Sequence, residues 1–551
     1  MRPAESDADV AIAAAPAPRA ERIDYASILS PQTKWIVLAG VLMGLFLAAL
    51  DQTIVATALP AIIADLRGID LLAWVSTGYL VASTTMVPVY GKLSDIYGRR
   101  SIVLAGIMIF LVGSALSGLA ATMQQLIAFR ILQGIGAAAL TSSAFTVIAD
   151  LFVPAQRPRY QGLFGGVFAL ASVVGPYLGG VLTDQLSWRW VFYVNVPVGI
   201  VAVAFIVAKM PRLHSGLPAT VDWAGTALLI ASVVPLLLAL TLDKEQYPWS
   251  SPAVVGLLLV AAVATALLLV VESRVPSPVI ALDLFRNRTF AVVSAASTLV
   301  GASFFAAVFF LSIFMVNVVG VSATAAGTTL IPLTFAVVIG AFTSSIIVQR
   351  LGRYRRIVLG GFAVATVGFG LLATLGPDAT RGDVTWRMIV LGLGLGPAMP
   401  LLNLAVQNAV PHEKVGMATA ARQFFLQIGS AVGTAAFGVV LSTVLTAEFT
   451  HRATPLLAHL PAQARAAIDL DSIRSGVFAS VPGPAVAQVR EVFRVAFTVG
   501  ITRIYAYAAA LLLLALLVAT ALPEIPLRTS NKSEPTQATQ PTQSQSSPFD
   551  V

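Results

Sequence analysis

Ionisable side chains are scarce in this chain, and the few that sit inside apolar runs are its first candidates for chemistry. In FLAALDQTIVATALP (residues 46–60) one carboxylate, Asp51, lies well inside an apolar run that begins at Trp35. In LIAFRILQGIGAAAL (residues 126–140) one guanidinium, Arg130, is placed the same way. A charge at the centre of a bilayer costs about 2.5–3.5 kcal/mol on insertion scales, so such a group is by default a functional candidate. An acid there can carry a proton. A guanidinium there needs an acid, and Asp51 is the only deep carboxylate in the first six apolar runs, so the two are expected to form a proton-coupling pair. The plainer readings are a structural acid bonded to a neighbouring helix and an arginine clamped on helix-end carbonyls. Gln133, Gly134 and Gly136 follow Arg130; small residues at this spacing first imply close helix packing.

Two further stretches combine charge or backbone freedom with helix ends. GKLSDIYGRRSIVL (residues 91–104) places Gly91, Asp95, Gly98, Arg99 and Arg100 in one tight basic turn. Glycine permits close approach and tight turning, and Asp95 can meet an arginine or a helix N-terminus, which would make a conformational gate. A solvated loop that only sets orientation is the alternative. GLFGGVFALASVVGPYLGG (residues 162–180) holds six glycines and Pro176 in one apolar run. Backbone broken by Gly175 and Pro176 inside a membrane, with Gly179 and Gly180 beside it, is tolerated next to other helices or a cavity. A packing seam is the simpler explanation.

The elements that must hold these residues are membrane helices. The chain has 551 residues, 57% of them hydrophobic and 11% charged, with mean hydropathy +0.86. Soluble domains carry about 25% charged residues. Fourteen apolar runs of bilayer-spanning length are expected between residues 35 and 522, among them 71–90, 386–409, 416–445 and 498–522. The net charge of +8 belongs to their loops. With both termini inside, roughly 21 of the 34 Lys and Arg fall on the cytoplasmic side, and the basic clusters alternate as the positive-inside rule requires. No nucleic-acid motif occurs. The basic turns YGRRSIVL (97–104) and RYRRIVL (353–359) are alike and suggest an internal repeat. The expected organisation is a disordered cytoplasmic lead (1–34), a six-helix half (35–210), two additional helices (211–285), a second six-helix half (286–524) carrying an external segment (447–496), and a disordered cytoplasmic tail (525–551). Duplicated halves facing a central cavity are a transporter plan. There is no cysteine, hence no disulfide or thiol chemistry. The four histidines show no metal-ligand spacing, and no nucleotide-binding or hydrolase motif is present, so an enzyme is not expected.

In combination these stretches resemble the major facilitator superfamily, and within it the fourteen-span drug:proton antiporter branch. LDQTIVATALP is similar to that branch's first-span motif, GKLSDIYGRR to the loop motif shared by the superfamily, RILQGIGAAA to the fourth-span arginine motif, and GPYLGG to the fifth-span antiporter motif. SWRWVFYVNVPVG (187–199), VDWAGTALL (221–229) and ATAARQFFLQIGSAVGTAAFG (418–438) fit the same branch, although Ala56 and Ala171 stand where it has Asn and Gly. The resemblance implies an all-α major facilitator fold with cytoplasmic termini. It also implies proton-coupled export of lipophilic compounds, cationic ones included, by alternating access. Asp51 and Arg130 would couple protons, Asp95 and Arg99 would gate, and Gly175–Pro176 would form an antiport kink. Gln133, Phe168, Asn403, Gln407, Arg422 and Gln423 become candidate cavity residues. The energy source would be the proton gradient with no cofactor, the partners a lipophilic substrate, protons and the lipid bilayer, the state a monomer, and the location a bacterial plasma membrane. The rivals are a lipid or amphiphile exporter of the same fold and a non-transporting membrane sensor.

Overall fold

The computed structural model describes residues 25–67, 71–211, 220–242, 244, 246–321, 329–457 and 484–528. Among them there is helix and no strand. The long helices are α1 (Pro31–Leu66), α2 (Leu72–Tyr97), α3 (Arg99–Gly118), α4 (Met123–Leu151), α5 (Arg157–Gln185), α6 (Trp190–Lys209), α7 (Trp223–Thr241), α8 (Pro252–Glu272), α9 (Arg288–Asn317), α10 (Ile331–Leu351), α11 (Arg355–Leu372), α12 (Arg381–Ala409), α13 (Val415–Leu457) and α14 (Pro484–Thr520). Thirteen are long and apolar enough to cross a membrane. The other is α2, whose 26 residues are long enough to cross but carry Ser76, Thr77, Ser83, Thr84 and Thr85. The expected fourteen helices are all present.

Local chemistry explains where they begin. Ser30, Thr122, Asp222, Ser251, Asn287 and Thr380 each accept a backbone N–H of the following first turn, satisfying donors that the helix leaves orphaned. Pro31 and Pro252 follow two of these caps, where a missing N–H costs nothing. Gly98 and Gly352, at φ 84° and 66°, take the left-handed backbone of the two basic turns, which glycine adopts without strain.

The internal repeat is visible in the packing. In the first half α4 packs on α2 and α3, and α1 on α5 and α6; in the second, α12 packs on α10 and α11, and α9 on α13 and α14. Each pair recurs eight helices later. The halves meet where α5 lies on α10 and α13 on α2 and α4. The inserted hairpin α7–α8 sits beside that second seam, α7 touching both α2 and α13.

Several boundaries differ from expectation. Residues 1–24 and 529–551 lie outside the described residues, but Tyr25–Ile28 is helical and α1 starts at Pro31, inside the expected disordered lead, because Ser30 and Pro31 start a helix. The start of the tail is docked rather than free: Asn408 Nδ2 donates to the Ile525 and Pro526 carbonyls at 3.3 and 3.1 Å. Within 447–496 the described ends simply continue α13 and α14, and 458–483 lies outside the described residues. α12 is interrupted at Gly396–Pro397, where proline has no N–H for the helical ladder.

Candidate functional site

Asp51 is at 0% exposure and Arg130 at 2%, facing each other from α1 and α4. An Arg130 Nη1 donates to Asp51 Oδ2 and to Gln133 Oε1 at 2.7 Å, and Arg130 Nε donates to the Val75 carbonyl at 3.3 Å. The guanidinium also lies over the Tyr79 ring, 4.4 Å from its centroid, a favourable placement for a desolvated cation. The other carboxylate oxygen, Oδ1, accepts from Gln133 Nε2 at 2.7 Å and from Asn195 Nδ2 at 3.3 Å. Ser114 Oγ accepts from both amides, at 3.1 Å from Gln133 and 3.0 Å from Asn195. Groups from α4 and α6 therefore converge on the one carboxylate of α1, and Ser114 of α3 ties their two amides together. Charge pairing and full hydrogen bonding are what make a buried ion tolerable.

Gln133, expected beside a cavity, is instead enclosed at 0% exposure within this cluster; on α4 it is one turn from Arg130 and so faces the same acid. Asn195 and Ser114 were not singled out from sequence. Asn195 could have been, as the sole amide in an otherwise apolar helix.

A second charge cluster closes the end of the molecule that carries the basic turns. Arg99 pairs with Asp95 at 2.5 Å and with Asp150 at 3.0 Å, and its Nη1 donates to Ser94 Oγ at 2.6 Å. The other Asp150 oxygen lies 3.4 Å from His412 Nε2 of the second half. Gly416, at the start of α13, abuts Asp95 and Arg99, and Gly91 has no room for a Cβ against Ala420. Arg100 is outside this cluster; its Nη2 donates to the Val207 carbonyl at 2.8 Å. Above the charges, Gln161 Nε2 donates to Gln407 Oε1 at 3.0 Å, and Gln407 Nε2 to the Phe145 carbonyl at 3.2 Å. These contacts join the halves at this end. Asp150 and His412 join this cluster, and spacing alone could not have paired them.

The glycine–proline stretch does not break its helix. α5 runs unbroken from Arg157 to Gln185 with Pro176 inside. A Cβ on Gly175 would strike Thr53 and one on Gly179 would strike Thr57, while Gly180 faces open space. Thr53 Oγ1 donates to the Ala171 carbonyl at 2.9 Å. The glycines let α1 and α5 approach closely, which is the seam reading. Phe168 is 38% exposed on the same helix. Asn403, Gln407 and Arg422 are all at 2% exposure or less, and Gln423 is half-buried, accepting from Arg422 Nη2 at 2.8 Å.

Two repeated helical halves, a buried acid–guanidinium pair in one and a charge lock between them define a membrane carrier. The Major Facilitator Superfamily sequence model matches residues 41–434, and the chain belongs to that family. It is a multi-pass membrane transporter and not an enzyme. Among curated relatives, the "Multidrug transporter protein MdtP" of Bacillus subtilis (strain 168) is 39% identical over 429 residues, 78% of this chain and 79% of that protein. The "Multidrug resistance protein 3" of the same organism is 39% identical over 424 residues, 77% of this chain and 82% of that one. Among solved structures, the human organic anion transporter MFSD10 (TETRAN) superposes with a TM-score of 0.58 at 15% identity, over 89% of this chain and 100% of that one. The proton:xylose symporter XylE gives 0.57 at 14% identity, over 91% and 98%. These two share the fold.

Proposed function

We propose that this chain is a proton-driven exporter of lipophilic drugs, working by antiport with its basic end and both termini in the cytoplasm. The drug-efflux part is supported by the 39% identity to two proteins named for multidrug transport. The observation that carries the proton coupling is the single carboxylate, Asp51, on which Arg130, Gln133 and Asn195 all depend.

The cycle follows from that dependence. With Asp51 ionised, α1, α4 and α6 are held together through one anion. A proton taken up from outside removes the charge that Arg130 balances, weakens the interhelical bonds and alters how α1 packs on α5. Because α5, α2 and α4 are the helices that meet the second half, this change reaches the seams and allows the basic end to part. Release of the proton to the cytoplasm restores the pair and the closed basic end. At roughly 150 mV one inward charge gains about 3.5 kcal/mol, enough for a gradient of several hundredfold in a neutral substrate.

Purified protein in liposomes with a pH dye inside tests this reading. Under an imposed gradient, adding a lipophilic substrate to wild type should trigger proton movement, and Asp51→Asn should abolish it. Proton flux that survives Asp51→Asn would sink the coupling role of that residue. A basic end labelled from outside in intact cells, through Tyr97→Cys, would overturn the orientation.

A further inference from the structure

Arg422 is 1% exposed on α13, and its Nε and Nη1 have no hydrogen-bond partner among the described residues. Its hydrogen bond among the described residues is the neutral contact with Gln423. Among the described residues no deep carboxylate in the second half's spans balances it: Asp378, Asp383, Glu448 and Glu491 are all bonded to Arg494, Arg387 or Arg452. Asp51 already belongs to Arg130. A second buried group is equally unsatisfied: Asn403, at 0% exposure, has neither side-chain nitrogen nor oxygen bonded among the described residues. Gln407 Nε2 lies 3.3 Å from Thr419 Oγ1, which sets the register of the antiparallel helices α12 and α13. Asn403 is one turn above Gln407 and Arg422 one turn above Thr419, so both stand at the same level.

That level is the inter-half seam. Arg422 faces the Phe145 ring of α4, 5.9 Å from its centroid, and Gln407 bonds the Phe145 carbonyl. Parting the basic end separates α4 from α12 and α13 and uncovers the guanidinium to whatever enters from that side. An unpaired buried cation is among the costliest groups a protein can hold, and an arriving carboxylate would satisfy two of its N–H groups at once.

Building on the drug-export reading, we propose that Arg422, with Asn403 at the same level, is a carboxylate-binding subsite. The transporter would then prefer lipophilic substrates that carry an acid group, zwitterions included, to simple cations. Asp51, held by Arg130, is not the group that selects charge; the unbalanced charge along the path is positive.

A matched dye pair tests this on the purified full-length protein: rhodamine B, which bears a free carboxylate, and its ethyl ester, which lacks it. Fluorescence polarisation should show wild type binding the acid roughly tenfold more tightly, the value of one charge-assisted contact. Arg422→Gln should bind acid and ester alike, at the ester's affinity, and Arg422→Lys should keep part of the preference. Should Arg422→Gln fail to purify folded, Asn403→Leu is read on the same pair and should narrow the gap. Equal binding by wild type, or a preference that persists in Arg422→Gln, overturns the subsite while leaving drug export intact. If wild type neither binds nor moves either dye in liposomes, the export reading falls and the subsite with it.

Discussion

At the residue scale the decisive fact is competition for one anion. Arg130, Gln133 and Asn195 all donate to Asp51, so removing its charge leaves a buried guanidinium uncompensated. Breaking a buried pair on one side costs about 3–5 kcal/mol. Asp51→Asn should therefore lower the thermal unfolding temperature as well as stop transport. Asp51→Asn combined with Arg130→Gln should regain much of that stability without regaining transport, a contrast that differential scanning fluorimetry and flux assays on the same preparations would read. Asn195 contributes one bond to the acid, at 3.3 Å, so Asn195→Leu should cost only about 0.5–1.5 kcal/mol. It should appear as a several-fold loss in substrate-driven proton flux with near-normal unfolding. Wild-type flux in that variant would remove Asn195 from the coupling machinery.

At the element scale, function rests on how closely helices can approach. Gly91 on α2 lies against Ala420 on α13, and Gly416 against Asp95 and Arg99, so the basic end closes only because these positions lack side chains. Gly91→Leu should act as a wedge that holds this end open. The chain has no cysteine, so Gln161→Cys with Gln407→Cys can report closure through a short bismaleimide without background. Cross-linking should be efficient in the otherwise unaltered chain and fall several-fold when Gly91→Leu is added. Unchanged cross-linking would show that the wedge is accommodated. On α5, Gly175 packs against Thr53 of α1, and the same helix lies on α10, so in the proposed cycle this run connects a change at Asp51 to that seam.

At the scale of the whole molecule, opening the basic end must break several modest contacts together: Gln161 with Gln407, Gln407 with the Phe145 carbonyl, Asp150 with His412, and the Ala155 N–H with the Arg528 carbonyl at 3.2 Å. At about 0.5–1.5 kcal/mol apiece their sum is of the same order as the energy one proton would supply in the proposed cycle. The last contact comes from the docked tail. Glu524 Oε1 also accepts the Tyr354 and Arg355 N–H groups at 3.0 and 3.3 Å, capping α11. Deleting residues 523–551 should speed amide exchange at 152–156 and at the start of α11, and raise the population open at the basic end. Exchange rates equal to those of the full chain would show that the tail does not restrain the gate.

Much of this protein was legible before any coordinates. Fourteen helices, the alternation of basic loops, the repeated basic turn and the pairing of Asp51 with Arg130 all follow from hydropathy and charge, because the bilayer penalises each polar group according to its depth along the chain. Even the helix starts are written locally, as at Ser30–Pro31 and Thr380. Only the tertiary structure decided the rest. Gln133 and Asn195 share one carboxylate with Arg130 across 82 and 144 residues of sequence, and Gln161 meets Gln407 across 246. The same is true of Asp150 and His412, which meet from opposite halves, and of the glycine–proline run, which is a seam within a continuous helix. No local pattern specifies such partners. They depend on which faces meet when the helices pack within each half and when the halves dock; packing inside the first half satisfies the guanidinium of Arg130, while that of Arg422 at the seam is left to be met by something else.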